Sequence, residues 1–158
     1  MAITTGRLPM PPWLILLLLV VLVNVLIQPS QEGYGWWRDL RRPPRMRPYE
    51  AWAPVAWLGL QACIYGSALI SWSARRTWPL LAAYLVLLVL IQGYLWVLSR
   101  TRQLGLGALV CLLGCSYGIG LTAVVQSFAP IAALWMMPYL VGSAVETQTT
   151  WQMRSLNR

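Results

Sequence analysis

Only four carboxylates occur in the 158 residues, Glu32, Asp39, Glu50 and Glu146, and there is no histidine. That removes the commonest general base, the commonest metal ligand and any His-based triad. Glu32, Asp39 and Glu50 stand in or beside a run of arginines, where local charge balance is their ordinary use. Glu146 is different. It falls inside an apolar run, where a charged side chain at a helix centre costs about 2.5 to 3.5 kcal/mol on insertion scales. It is either an interfacial carboxylate or one that lines a cavity, and Thr147, Gln148, Thr149 and Thr150 beside it suggest that water reaches that turn. An enzymatic function would rest on Glu146 alone, so no catalytic residue is assigned.

The remaining chemistry is sparse. Cys63, Cys111 and Cys115 all lie within apolar runs and fit the use of free cysteine as a small buried hydrophobe. A CxxxC pair without histidine or a nearby carboxylate is a weak metal site, so no metal is expected. There is no GxGxxG and no phosphate-binding loop; Gly105, Gly107, Gly114, Gly118 and Gly120 are the small residues that close helix packing in lipid favours. Asn24, Gln61 and Gln92 are polar residues inside apolar runs, each needing a partner. Of these Gln92, with Tyr94 and Trp96 in the same run, is the pocket candidate, against simple helix-to-helix hydrogen bonding.

Aromatic content is unusual in kind, with ten Trp and seven Tyr against one Phe. Amphipathic rings favour the membrane interface. Trp13, Trp36, Trp37, Trp72, Trp78 and Trp151 are therefore expected at span ends, with Trp57, Trp96 and Trp135 deeper, where flat rings could hold a flat apolar ligand.

The elements that position these residues follow from hydropathy. The chain is 58% apolar and 10% charged, the profile of a small polytopic membrane protein. Five spans are expected, at about 12–28, 51–72, 78–98, 104–125 and 130–153, with a first loop at 29–50, giving one all-α five-helix membrane domain over residues 1–158. The first span carries no cleavage signal after it and is expected to stay as an anchor. All twelve basic residues are arginine. Arg7, Arg75 and Arg76 fall on one side of the membrane, and the other nine on the other. The positive-inside rule then puts the N-terminus outside and the first loop and C-terminus in the cytoplasm. Arginine placed by topology in this way does not suggest nucleic acid as a partner.

The stretch from Trp36 to Val55, WWRDLRRPPRMRPYEAWAPV, holds five Arg, four Pro and three Trp. It is too basic for hydrocarbon and too aromatic for a plain linker, so a structured interfacial lid is expected. Here the chain resembles the TspO/MBR family of tryptophan-rich sensory proteins, or translocator proteins. The family's W-[YF]-x-x-L-x-[KR]-P is similar to Trp36, Trp37, Leu40, Arg42 and Pro43. The P-P, aromatic and G-P-V pattern that follows is similar to Pro48, Trp52, Pro54 and Val55, and A-A-L-x-x-x-P-Y to Ala132, Ala133, Leu134, Pro138 and Tyr139. The sequence departs from the family at four places. Ala56 stands where Trp usually follows G-P-V, Ile91 sits in a changed third-helix pattern, Gly142 replaces the Trp of P-Y-L-A-W, and Thr149 and Thr150 replace L-N.

The resemblance implies a bundle whose inter-helix cavity, roofed by the first loop, binds porphyrin-type tetrapyrroles or sterol-like lipids, in transport, sensing or regulation. It implies ligand contacts from Trp36, Arg42, Pro43, Trp52, Trp57, Gln92, Tyr94, Trp135, Pro138 and Tyr139. Trp and Tyr faces would take a porphyrin plane, and Arg42, Arg45 or Arg47 its carboxylates. No obligatory cofactor is expected; a porphyrin or lipid could be bound. A homodimer or membrane-complex partners are expected in a bacterial inner or thylakoid-type membrane. The alternative is a structural or assembly subunit of a larger membrane complex that keeps the fold without the pocket.

Overall fold

The computed structural model describes residues 11–43 and 52–157, and every regular element among them is a helix. In chain order these are α1 Pro12–Leu26, α2 Gln31–Asp39, α3 Ala53–Ala74, α4 Trp78–Thr101, α5 Leu104–Gln126 and α6 Pro130–Leu156. Proline marks the starts. Helices α1, α3, α4 and α6 each carry Pro at the first or second position, where its missing N–H costs nothing and its fixed φ suits the helix. Helix α4 ends where Arg102 turns into the left-handed region at φ 52° while its N–H still bonds the Leu98 carbonyl, the geometry of an αL cap.

The expected first loop, 29–50, is corrected by α2. Ser30 caps it, its hydroxyl oxygen accepting from the Gly33 N–H at 3.2 Å, with Glu32 in the first turn and Arg38 in the last. Both charges suit the helix dipole. The helix is docked as well as capped. Ser30 N–H donates to Ser99 Oγ at 3.2 Å and Ser30 Oγ donates to the Ser99 carbonyl at 3.3 Å, and a Cβ on Gly33 would meet the backbone of Ser99. Residues 44–51 of that segment, including Arg45, Arg47 and Glu50, lie outside the described residues.

Three helices, α3, α4 and α5, are long and apolar enough to cross a membrane, and the apolar part of α1 from Trp13 to Leu26 is shorter. Helix α6 has 27 residues, largely apolar to Val145 and then rich in Thr and Gln, with Arg154 in the last turn. Many large apolar side chains face outward, Leu58, Leu113, Leu134 and Val141 among them. That would be an aggregation hazard in water and is ordinary in lipid.

Helix α6 packs mainly on α5 and α3, α4 on α5, and α1 on α3 and α4, while α2 lies on α4. The larger core centres on Ile64, Tyr84, Leu87, Val125, Ala132 and Met136. A second, around Tyr94, Leu98, Leu104, Cys111 and Met153, receives Trp36, Trp37 and Leu40 from α2 and its exit. Close approach needs glycine here. A Cβ on Gly118 would lie 2.5 Å from Tyr139 Cε1, and one on Gly107 2.7 Å from Leu98 Cδ1, so α5 presses its small-residue face against both neighbours. Polar groups also knit the helices. The buried Tyr84 hydroxyl lies 2.7 Å from Ser67 Oγ and 2.9 Å from Ser71 Oγ, and Ser67 donates to the Ala132 carbonyl at 2.8 Å. Without water in the surroundings each such group must find its partner in the protein.

Candidate ligand cavity

Helical spacing gathers one face from each of four helices. On α3 these are Trp57, Gln61 and Ile64, on α4 Leu90, Ile91 and Tyr94, on α5 Cys111 and Gly114, and on α6 Tyr139, Ser143 and Glu146. The intervals of three, four and seven stack side chains on one side of a helix. Together with Leu60 and Val110 they enclose a partly open cavity of about 30 Å³, room for roughly two water molecules. It lies between the first half of α3 and the second half of α4, in the end of the bundle where the first connection joins.

Most polar groups in its wall are already paired. The Tyr94 hydroxyl is 2.9 Å from Thr150 Oγ1, Ser143 Oγ donates to the Leu140 carbonyl at 3.1 Å, and Cys111 Sγ donates to the Ser143 carbonyl at 3.5 Å. Gln61 is the exception. It is 8% exposed, and neither its amide oxygen nor its amide nitrogen has a partner. Glu146 is half-buried beside Tyr94. Among the described residues no group of three His, Cys, Asp or Glu side chains could hold a metal ion.

Of the residues predicted for the site, the structure brings three to the cavity: Trp57, Tyr94 and Tyr139. Trp36 is half-buried and packs with the second core. Arg42 turns back on α2, Nη2 donating to the Trp37 carbonyl at 3.1 Å with the guanidinium carbon 5.9 Å from the centre of that ring. Pro43, half-buried, follows it at the end of the described segment, and Trp52 is exposed just ahead of α3. Gln92 faces α1 instead, where Nε2 donates to Asn24 Oδ1 at 2.6 Å. Trp135 is 44% exposed and lies against Gly66, and Pro138 is on the outer side of α6. Trp96, expected to lie deep, points outward with Arg100 over it at 5.9 Å.

Gln61, Ser143 and Glu146 are polar wall residues outside the predicted ligand set, although the sequence already marks Glu146 as a candidate to line a cavity. Their signal was the spacing. Trp57 to Gln61 is four residues, and Tyr139, Ser143 and Glu146 repeat at four and three, a polar stripe on an otherwise apolar helix. The changed positions split in the same way. Ile91 lines the cavity, Thr150 pairs with Tyr94, Gly142 lies against Leu60, and Ala56 is exposed.

Comparison with curated proteins gives no match. The family model described as TspO/MBR family matches residues 13–156, nearly the whole chain. With three helices built to cross a bilayer and that match, the chain is an integral membrane protein that belongs to the TspO/MBR family.

Proposed function

We propose that the protein binds a flat or elongated apolar ligand, of the tetrapyrrole or sterol type, in the cavity between α3, α4, α5 and α6, and acts in transport, sensing or regulation. One observation carries this. Three aromatic rings from three helices, Trp57, Tyr94 and Tyr139, converge on one partly open cavity that also holds an amide without a partner. Apolar walls with a few convergent polar groups are the usual make-up of a ligand site. A tetrapyrrole is far larger than the enclosed space, so binding requires α3 to move away from α4. That contact is among the thinnest between neighbouring helices, and the Tyr84 bonds to Ser67 and Ser71 that cross it lie in the other half of α3. Saturable quenching of Trp fluorescence by protoporphyrin IX, in detergent and in lipid discs, supports this function, and purely linear quenching in both removes it.

The same account has α1, α3, α4, α5 and α6 cross the bilayer as one domain, with the N-terminus outside and the C-terminus cytoplasmic, on the three-to-nine distribution of arginine. Single cysteines placed at Ser127 and Asn157 in a cysteine-free background should react with an impermeant thiol reagent from opposite sides.

A structural or assembly subunit is the second possibility, favoured by the small enclosed volume of about 30 Å³. Mild solubilisation and sizing separate the two, because an obligate subunit migrates with other chains.

A further inference from the structure

Two polar groups in the cavity wall are under-partnered, Gln61 with no hydrogen bond and Glu146 with the Tyr94 hydroxyl beside it. Gln61 is more than nine-tenths buried with both amide atoms unpaired. Glu146 reaches the same cavity from α6, and among the described residues the ion pair is that of Arg102 with Glu32 at 3.6 Å. Among the described residues, none that lines the cavity is basic. A carboxyl in lipid-embedded protein needs a donor or a positive charge near it, and the wall supplies little. The Tyr94 hydroxyl beside it is shared with Thr150 at 2.9 Å.

Around these two groups stand the rings of Trp57, Tyr94 and Tyr139. An aromatic surround attracts a cation through the negative faces of its rings, most strongly where water is excluded. The three components, a carboxyl, an amide oxygen and an aromatic wall, all favour positive charge. An anionic group would meet Glu146 with no cation among the described wall residues to offset it. A neutral hydroxyl would satisfy only one of the acceptors.

We infer that the cavity is a subsite for an organic ammonium group carried on an amphiphile with an apolar body. The ammonium N–H groups donate to Glu146 and to Gln61 Oε1, and Gln61 Nε2 donates to a ligand oxygen next to the ammonium. An enclosed volume of about 30 Å³ admits a head group of this size, while the apolar body leaves through the open side. The inference rests on the cavity being a ligand site, and goes beyond it in naming the charge of the group that enters.

The test uses the full chain in phosphatidylcholine discs, with empty discs as the blank, and radiolabelled dodecylamine as the probe. Dodecylammonium should bind saturably, dodecanol should compete about tenfold more weakly, the difference expected of a desolvated cation in an aromatic surround, and dodecanoate should not compete. Glu146→Gln should remove most of the preference for the amine over dodecanol, and Gln61→Leu should weaken amine binding by a smaller factor. If a variant does not fold, the ranking of the three head groups on the unaltered protein decides by itself. Equal binding of dodecanoate, or an unchanged ranking in a folded Glu146→Gln protein, overturns the inference. Saturable protoporphyrin IX binding without dodecylammonium binding overturns it while leaving the cavity as a ligand site, and binding of neither removes both.

Discussion

Gln92 Nε2 donates to Asn24 Oδ1 at 2.6 Å, so a pair of amide side chains inside the apolar runs ties α1 to α4. Asn24 completes the arrangement by donating to the Val20 carbonyl of its own helix at 2.8 Å. The shortest apolar helix is therefore held by a side-chain pair as well as by packing of Leu16 and Val23 into the larger core.

This pair should be measurable and modest. A double-mutant cycle of Asn24→Leu and Gln92→Leu, read from unfolding in mixed micelles, should give a coupling of about 0.6 kcal/mol and no more than about 1.7 kcal/mol, the range found for helix-to-helix hydrogen bonds in lipid. A coupling of zero would mean that packing and the Tyr65 hydroxyl bond to the Trp13 carbonyl hold α1 without this pair.

Helix α2 depends on a contact that admits no side chain. Because the Cβ of Gly33→Ala would meet backbone atoms of Ser99, which cannot rotate away, this variant should release α2 from α4. Ser30→Ala, which loses the cap and one of the links to Ser99, should cost about 1 kcal/mol of local stability. Amide hydrogen exchange over residues 31–39 checks both, with faster exchange in Gly33→Ala than in Ser30→Ala.

Tyr84→Phe removes the hydroxyl shared by Ser67 and Ser71 while keeping the ring. The two serines are fully buried, and Ser71 then loses its side-chain partner while Ser67 keeps the Ala132 carbonyl. A loss of about 1 to 3 kcal/mol, the cost of leaving a buried polar group unsatisfied, should appear as a lower thermal midpoint. Ligand binding in the cavity should change little, since Tyr84 does not line it.

Gly118→Val acts on the cavity from behind. Its new side chain would displace Tyr139, whose Cε1 lies 2.5 Å from the position of an added Cβ. Overpacking of this kind costs about 1 to 3 kcal/mol, and ligand affinity should fall together with stability because Tyr139 is a wall residue.

Much of the helical framework was legible because its signals are local. The expected starts at 78, 104 and 130 coincide with those of α4, α5 and α6, each being where hydropathy rises, twice beside a proline. Helix ends were less legible. Hydropathy marks where lipid stops, whereas α4 runs to Thr101 because the αL turn of Arg102 ends it there. Helix α2 was hidden by its two glycines and by the arginines in and after it, although Ser30 followed by Glu32 was a capping signal. The facing of side chains was the least legible feature. Gln61 and Gln92 look alike in sequence, yet one lines the cavity and the other pairs with α1. Helices apolar on every side carry no amphipathic stripe to show which face is buried.

Ligand entry into this cavity is the central claim, and Gly114 offers the most direct test of it. Gly114 lines the cavity, and an added Cβ would lie 3.1 Å from the Tyr139 hydroxyl oxygen and 3.8 Å from Leu90 Cβ, so Gly114→Leu fills the space without adding charge. Protoporphyrin IX titrated into unaltered and Gly114→Leu protein in the same lipid discs, followed by Trp fluorescence, should saturate in the first and lose at least about tenfold in affinity in the second, about 1.4 kcal/mol. Equal, saturable binding by a folded Gly114→Leu protein would place the ligand elsewhere and contradict the account.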